Sequence, residues 1–469
     1  MFVKQLYTGC LSEAAYYIES NGEAAIVDPL RDIDAYLQLA KERNTRIKYI
    51  FETHFHADFV SGHLDLARAT GATIVYGPDT ETKLPVYVAK DGETFPLGAV
   101  SITVLHTPGH TLESSCYLLK DESGKEHAVF TGDTLFVGDV GRPDLAQKGD
   151  QLTMDDLAGM MYDSLQQKIV PLPEDVIVYP GHGPGSACGK NLGPNTESTV
   201  GEEKRSNYAL QAKSREEFVK AVTEGLDAPP QHFAINAQIN KEGYDSLEEV
   251  LKKGLKPLSV EEVKKAIDDE TLVLDTRTAD LFTQGFVPGS VFIGLEGRFA
   301  EWSGSLLPFK SPILLVTEPG MEKETLIRLA RVGFSNVVGY LEGGFDAWKQ
   351  SGEPIDMIID VEADELAMDI PFDEHLVVVD VRRPAEYNLG HVKDAVNIPL
   401  NEMTDIATIA DLEEEQNIYI HCAGGYRSVI AASLIKRQGL HNIRNVVGGW
   451  NKIKEEDKIQ KTKAESGLN

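Results

Sequence analysis

Cysteine is scarce in this chain, and no two cysteines lie close together. The 469 residues contain four, which are Cys10, Cys116, Cys188 and Cys422. This spacing argues against a disulfide framework and predicts free thiols that either pack in a core or take part in chemistry. The chain also lacks an apolar run near the roughly 20 residues of a membrane helix, and its first residues lack the apolar stretch of a signal peptide. We therefore expect a cytoplasmic protein that binds no membrane.

Basic residues are few relative to acidic ones. Lysine and arginine number 45 against 74 aspartates and glutamates, which gives a formal net charge of −29. A surface this acidic repels phosphate backbones, so we expect no nucleic-acid partner. The length exceeds what one hydrophobic core usually serves and suggests about three domains.

The first half of the sequence alternates apolar, β-branched runs with amphipathic helices. Asn21-Gly22 predicts a tight turn between strands at 15–19 and 24–28. Four later runs are typical of buried strands, at residues 46–53, 100–106, 128–131 and 176–179. A polar segment with glycine or histidine follows each run at once. Functional residues of layered α/β proteins collect at such strand ends.

These strand ends carry histidines and aspartates in a pattern that predicts a metal site. Any one of them alone is better explained as a turn or core residue, but the set favours metal binding. The candidates are His54, His56, Asp58, His110, Asp133 and His182.

Together these residues resemble the HxHxDH, GH, GD and GH motifs of the metallo-β-lactamase superfamily. The resemblance implies an αββα sandwich over about residues 1–250 with metal at one edge of its sheets. Phe59 departs from the pattern, because it replaces the last histidine of HxHxDH, a ligand of the second metal. The sequence is similar to the persulfide dioxygenase branch, which implies one Fe(II) per chain bound by His54, His110 and Asp133. Two histidines and a carboxylate leave positions open for substrate and O2.

Five neighbouring residues keep alternative roles at this stage. His56, Asp58 and His182 would either orient the ligands and substrate or serve packing alone. Arg142 would either pair with a carboxylate of the substrate or hold its own loop. Cys188 would either carry sulfur, with Lys190 lowering its pKa, or pack as a small apolar side chain. Cys10 and Cys116 lie in strand-like segments and are expected in the core.

The second half contains an internal repeat, after a boundary that we place between residues 245 and 256. Three segments recur at an offset of 105 residues: Asp275-Thr276-Arg277 as Asp380-Val381-Arg382, 285–290 as 390–395, and 341–345 as 446–450. Short strands alternate with helices in both copies, which predicts two α/β domains with parallel sheets, at 256–355 and 360–469. The Lys/Glu-rich tail after Trp450 suggests a fraying helix.

Cys422 lies at a strand-to-helix turn, in the segment His421-Cys422-Ala423-Gly424-Gly425-Tyr426-Arg427. Backbone N–H groups, the helix N-terminus and Arg427 all favour an anionic sulfur there. The loop resembles the CxxGxR active loop of rhodanese sulfurtransferases, in which Cys422 and Arg427 would be catalytic. Related phosphatases use a longer Cys-x5-Arg loop. The other copy has no cysteine in its equivalent segment, 316–322, so we expect an inactive rhodanese-like domain.

The resemblances together imply oxidation of a thiol persulfide, with O2 and sulfite as further partners, coupled to sulfur transfer that gives thiosulfate. Members of this branch often pair, so a homodimer is compatible with the resemblance. Two alternatives stay open. One is a dizinc thioester hydrolase of the glyoxalase II kind, and the other is a non-enzymatic sulfur relay that uses Cys422 alone.

Overall fold

The computed structural model describes residues 1–147, 149–226 and 228–463. The chain forms two compact units, Met1–Glu249 with Leu329–Ser335, and Val250–Arg328 with Asn336–Asn469. The domain limits 1–250, 256–355 and 360–469 stay predictions.

Two six-stranded sheets form the first unit. The first sheet contains, in spatial order, β1 (Phe2–Thr8), β2 (Glu13–Ser20), β3 (Glu23–Val27), β4 (Arg46–Phe51), β5 (Thr73–Tyr76) and β6 (Tyr87–Val88). The second contains β7 (Thr94–Leu97), β8 (Val100–His106), β9 (Ser115–Lys120), β10 (Glu126–Gly132), β11 (Ile177–Pro180) and β12 (Ser198–Thr199). The predicted hairpin is present, since β2 and β3 pair antiparallel and both Asn21 and Gly22 have positive φ, as a tight turn requires.

The helices of this unit cover the outer faces of the two sheets. They are α1 (Asp34–Glu42), α2 (His63–Thr70), α3 (Met154–Ser164, continued as a π-helix over Leu165–Ile169), α4 (Val200–Ser206), α5 (Arg215–Thr223) and α6 (His232–Glu242). Helix α7 (Leu247–Gly254) follows, and the boundary between the two units falls within it. Phe51 of one sheet and Phe130 of the other share a core between the sheets. Leu66 packs on the outer face of the first sheet, and Phe218 on that of the second. The predicted αββα sandwich is therefore confirmed.

The second unit contains two successive α/β repeats. The first consists of β13 (Pro257–Leu258), α8 (Val260–Asp268), β14 (Leu272–Asp275), α9 (Ala279–Thr283), β15 (Val291–Phe292), α10 (Phe299–Leu306), β16 (Ile313–Val316), α11 (Glu322–Arg331), β17 (Val337–Leu341) and α12 (Gly344–Gln350). The second consists of β18 (Ile359–Val361), α13 (Ala363–Asp369), β19 (Leu376–Asp380), α14 (Pro384–Leu389), β20 (His391–Val392), β21 (Val396–Asn397), β22 (Asn417–His421), α15 (Tyr426–Arg437), β23 (Ile443–Val446), α16 (Gly449–Ile453) and β24 (Lys461–Thr462).

Each repeat forms a five-stranded sheet whose strands run parallel, as predicted. The orders are β13-β17-β16-β14-β15 and β18-β23-β22-β19-β21, so equivalent strands occupy equivalent places. In both sheets the strand before the functional loop, β16 or β22, is central. The carboxyl ends of the parallel strands therefore present the two equivalent loops in the same setting.

The tail differs from the prediction of a helix. Helix α16 ends at Ile453, and β24 then pairs antiparallel with β20. The backbone of this segment finds its partners in a neighbouring strand, which the charge pattern of the tail could not reveal. Among the described residues, no helix has the length and apolar character needed to cross a membrane.

Candidate functional site

Three loops at one edge of the sandwich bring His54, His110 and Asp133 together. These residues follow β4, β8 and β10, and all three are buried. Asp133 Oδ2 lies 3.9 Å from His54 Nε2 and 3.5 Å from His110 Nε2. One ligand atom from each of the three lies within 4.8 Å of the others. The proposed ligands are thus close enough to share one metal ion.

The donor set fits a cation. His110 Nδ1 lies 2.8 Å from the Arg142 carbonyl oxygen, so it donates its proton there and leaves the Nε2 lone pair available. That Nε2 and both Asp133 oxygens are buried without a hydrogen-bond partner, which is costly unless an ion satisfies them. Burial, with His56 and His110 adding to it, holds the pKa of His54 well below its usual value. His54 is therefore neutral, as a metal ligand must be.

A second buried group adjoins this one and consists of Asp58, His182 and Cys188. His182 Nε2 lies 3.4 Å from Asp58 Oδ2 and 3.6 Å from Asp133 Oδ1. His182 Nδ1 lies 3.2 Å from the Ser12 carbonyl oxygen, to which it donates. In a neutral ring the Nε2 lone pair then faces two carboxylates, Asp58 and Asp133. A cation at this position would offset the repulsion among these electron-rich atoms.

His56 is turned toward a third group. Its Nε2 lies 3.1 Å from Asp28 Oδ1 and 3.5 Å from Glu52 Oε2. Burial alone would lower the pKa of His56, but Asp28 and Glu52 raise it to about 10. His56 Nε2 is therefore directed at these two carboxylates, with which it forms a buried group. Phe59 stacks on its ring at 4.3 Å between centroids.

The loop that carries His54 and His56 is held by residues that the sequence alone did not reveal. Asn240 on α6 donates from Nδ2 to the carbonyl oxygens of His56 and Phe59, 2.8 Å in each case. Asp28 accepts hydrogen bonds from both the backbone N and the Oγ1 of Thr53. Asp28 follows β3 directly, and this position was the one local signal of its role. Asn240 gave no such signal, because it lies more than 180 residues after the loop that it holds.

Arg142 contacts its own loop, and its contact with substrate stays a prediction. Its guanidinium donates to Asp144 at 2.7 and 2.8 Å and to the Ala187 carbonyl oxygen at 3.3 Å. The residue is 4% exposed. Removing the Asp144 partner would leave this buried charge uncompensated, so the ion pair matters to the shape of the loop.

Cys188 has surroundings different from those expected. Lys190 Nζ donates to the carbonyl oxygens of Ala221 and Glu224, so it does not lower the pKa of the thiol. Burial, and then the charges of Asp58 and Asp133, raise that pKa well above its usual value. Cys116 is buried as predicted, but Cys10 is only half-buried and lies in a turn after β1, so its placement in the core was wrong.

Cys422 lies directly after β22 in a loop built from backbone groups. Gly425 N donates to Cys422 Sγ at 3.0 Å. Gly425 has a φ of 110°, which turns the chain into α15. A Cβ on Gly449 would lie 2.3 Å from the Cys422 carbonyl oxygen, so only glycine fits this approach. The loop thus directs the backbone N–H of Gly425 at the sulfur atom.

Arg427 is fixed beside this loop by Glu386. Its Nη1 and Nη2 donate to the two carboxylate oxygens at 2.8 Å each. The hydrogen bonds to Glu386 raise the pKa of Arg427, and the Cys422 sulfur acts in the same direction. The two residues predicted to be catalytic are therefore neighbours, with Glu386 as the positioning partner.

Comparisons with known proteins agree with this architecture. The model of the metallo-beta-lactamase superfamily matches residues 8–182, and that of the rhodanese-like domain matches 259–351 and 362–456. A metallo-beta-lactamase structure from Staphylococcus aureus subsp. aureus COL is 31% identical and has a TM-score of 0.64, covering 73% of this chain and 98% of that chain. The structure of ETHE1 from Myxococcus xanthus is 32% identical, covers 51% and 98%, and has a TM-score of 0.44.

A curated relative is the probable hydroxyacylglutathione hydrolase SPCC13B11.03c of Schizosaccharomyces pombe (strain 972 / ATCC 24843). It is 33% identical over 183 residues, which are 38% of this chain and 66% of the relative, just under two thirds. The chain belongs to the metallo-beta-lactamase superfamily, and two rhodanese-like domains follow the domain that defines it.

Proposed function

We propose that this chain is an iron-dependent persulfide dioxygenase joined to a sulfurtransferase. The observation that carries the proposal is the buried set of two histidines and one carboxylate, His54, His110 and Asp133. His110 Nε2 and both Asp133 oxygens lack a hydrogen-bond partner. Ferrous iron held by such a set supplies open positions at which substrate and O2 meet. The net reaction would be RSSH + O2 + H2O → RSH + SO3²⁻ + 2 H⁺.

The surrounding residues would keep this site in shape. The charged pair of His56 with Asp28 holds the loop that carries His54, while Asn240 fixes the backbone of the same loop. His182 Nε2 lies 3.6 Å from the second oxygen of Asp133 and 3.4 Å from Asp58, so these two residues would line the site beside the proposed ligands. Phe136 and Phe233 pack against Cys188 and keep water from that side.

Cys422 would carry the sulfur atom in the second reaction. With sulfite as acceptor the balanced step is Cys422–S–S⁻ + SO3²⁻ → Cys422–S⁻ + S2O3²⁻. The S–S bond of the cysteine persulfide breaks, and its outer sulfur joins sulfite. Gly425 N and Arg427 favour the negative charge that remains on the cysteine sulfur. Reversal of this step would load Cys422 from thiosulfate.

Metal content and oxygen uptake test the dioxygenase together. Purified protein would be assayed with persulfides of glutathione, coenzyme A, cysteine and bacillithiol and with hydrogen polysulfide. We expect about one iron per chain and uptake proportional to iron. Two zinc ions per chain with no oxygen uptake on any of these substrates would overturn the proposal.

A dizinc thioester hydrolase is the second candidate, and one observation favours it. Cys188 stands beside Asp58 and His182, which gives a second cation position three protein ligands even though Phe59 cannot coordinate. Hydrolysis of a hydroxyacyl glutathione thioester by zinc-loaded protein, lost in Asp58→Ala, would support this candidate.

A further inference from the structure

The repeat that lacks the cysteine contacts the helix that begins at the Cys422 loop. Tyr426 Oη donates to the Gly294 carbonyl oxygen at 2.8 Å. Farther along α15, Ser433 Oγ accepts from Phe292 N at 3.0 Å and Arg437 Nη1 donates to the Gly289 carbonyl oxygen at 3.2 Å. Helix α15 is thus held along its length by residues 289–294 of the first repeat.

The same repeat contributes a carboxylate, Glu301 on α10. Its side chain is 14% exposed and forms an ion pair with Arg298, and its Oε1 lies 3.9 Å from Arg383 Nη2 of the second repeat. Burial raises the pKa of Glu301, while Arg298, Arg383 and Arg427 act to lower it. Burial and then the Glu301 charge raise the pKa of Tyr426, the residue next to Arg427. Arg383 N donates to Glu386 Oε2 at 3.2 Å, and the same oxygen accepts from Arg427 Nη1 at 2.8 Å. Contacts between charged groups therefore connect Glu301 to the arginine of the Cys422 loop.

These connected groups comprise three arginines, Arg298, Arg383 and Arg427, and two carboxylates, Glu301 and Glu386. A persulfide on Cys422 adds one negative charge, and an incoming sulfite or thiosulfate adds two. Each carboxylate connected to Arg427 thus opposes the approach of a small dianion and leaves an uncharged thiol unaffected.

We propose that Glu301 is a specificity-determining residue of the Cys422 site, supplied by the repeat that has no nucleophile. It weakens the binding of small free dianions and so favours sulfur exchange with thiols. The inference rests on the sulfur transfer proposed for Cys422. The first repeat, although it lacks a nucleophile, then contributes a charge that acts on the Cys422 loop of its neighbour.

Steady-state transfer by the full-length protein tests this role. The sulfur donor is glutathione persulfide, and the acceptor is either sulfite or the uncharged thiol 2-mercaptoethanol. In Glu301→Gln we expect the KM for sulfite to fall about fivefold at low ionic strength, with little change in kcat. The difference should shrink at high salt. Kinetics with 2-mercaptoethanol should stay the same.

Two further variants separate charge from shape. Glu301→Ala removes the same charge with a different side chain, so it should give the same fall in the KM for sulfite. Glu374→Gln removes one charge just before β19, at the sheet end opposite Cys422, and should change nothing. An equal loss with both acceptors in either Glu301 variant would show a purely structural role and overturn the inference.

Failure of the underlying proposal gives a different result. Unaltered protein would then transfer no sulfur to either acceptor, as Cys422→Ser is expected to behave. That outcome overturns both proposals. Active wild type with an unchanged KM for sulfite in Glu301→Gln overturns only the role of Glu301.

Discussion

The two repeats of the second unit share a buried ion pair and differ in the loop that follows the central strand. In one, Arg277 Nη2 donates to Asp275 Oδ2 at 2.6 Å and to the Gly285 carbonyl oxygen at 2.9 Å. In the other, Arg382 Nη2 donates to Asp380 Oδ2 at 2.6 Å and to the Gly390 carbonyl oxygen at 2.7 Å. This buried ion pair fixes the end of β14 in the first repeat and of β19 in the second.

The loop of the first repeat has the same backbone turn as the Cys422 loop but lacks its reactive side chains. Gly320 and Gly425 both have positive φ, so the chain turns in the same place. Thr317 stands where the second repeat has Cys422, and Glu322 stands where it has Arg427. Leu281 occupies the place of Glu386, so the first repeat also lacks the partner of the arginine. The fold therefore persists without the chemistry, because separate residues specify each.

Replacing the nucleophile should have the largest effect. We expect Cys422→Ser to lower thiosulfate formation by about a thousandfold or more, because serine cannot form a persulfide. The melting temperature should stay the same. The matched variant Thr317→Cys should gain no activity, since its loop still carries Glu318 and Glu322, which repel an anionic sulfur. Sulfur transfer by Thr317→Cys in a Cys422→Ser background would show that the first repeat lacks only the cysteine, and it would contradict the role given to Glu318 and Glu322.

Removing the arginine of this buried ion pair should lower the stability of either repeat by a similar amount. Arg277→Ala and Arg382→Ala each leave a buried aspartate without its partner, which typically costs about 3–5 kcal/mol. Hydrogen exchange at the amides of β14 and β19 reports each repeat separately. We expect comparable losses of protection, with sulfur transfer reduced only in Arg382→Ala. Unchanged protection in one repeat would mean that the ion pair does not stabilise the two repeats equally.

The Glu386–Arg427 pair should give the smallest effect, one that depends on pH. Hydrogen bonds from Arg427 lower the pKa of Glu386, so the folded state gains stability above the unfolded pKa of about 4.3 and loses it as pH falls through the lower folded value. The melting temperature of Glu386→Gln should therefore lie slightly below that of the unaltered protein at pH 7. The gap should close below about pH 4, whereas Leu281→Gln should show no such dependence. A gap that widens in acid would contradict the assignment.

The sequence revealed those features whose information is local. Each proposed ligand follows its own strand, so His54, His110 and Asp133 could be found one by one, and a fixed offset of 105 residues exposed the repeat. Arg142 was ambiguous although its partner, Asp144, lies two residues away. A short motif does not tell whether a guanidinium faces its own loop or a ligand.

The features that the sequence did not reveal depend on distant pairings. Asn240 reaches the backbone of His56 across the fold. The path of the loop after His182 sets the place of Cys188 next to Asp58, and the direction of Lys190 away from that thiol follows from α5 and the residues after it. Glu301 became visible only once the two repeats were packed together.

Oxygen uptake with glutathione persulfide, measured for His54→Ala beside Cys422→Ser, distinguishes the two proposed sites. We expect Cys422→Ser to keep its iron and its oxygen uptake and to release sulfite without thiosulfate. His54→Ala should lose iron and oxygen uptake, while it still moves sulfur from thiosulfate to a thiol. Undiminished oxygen uptake by His54→Ala would show that oxygen does not react at the proposed metal site. An unaltered protein that consumes no oxygen would contradict the account and would leave Cys422 as a sulfur relay alone.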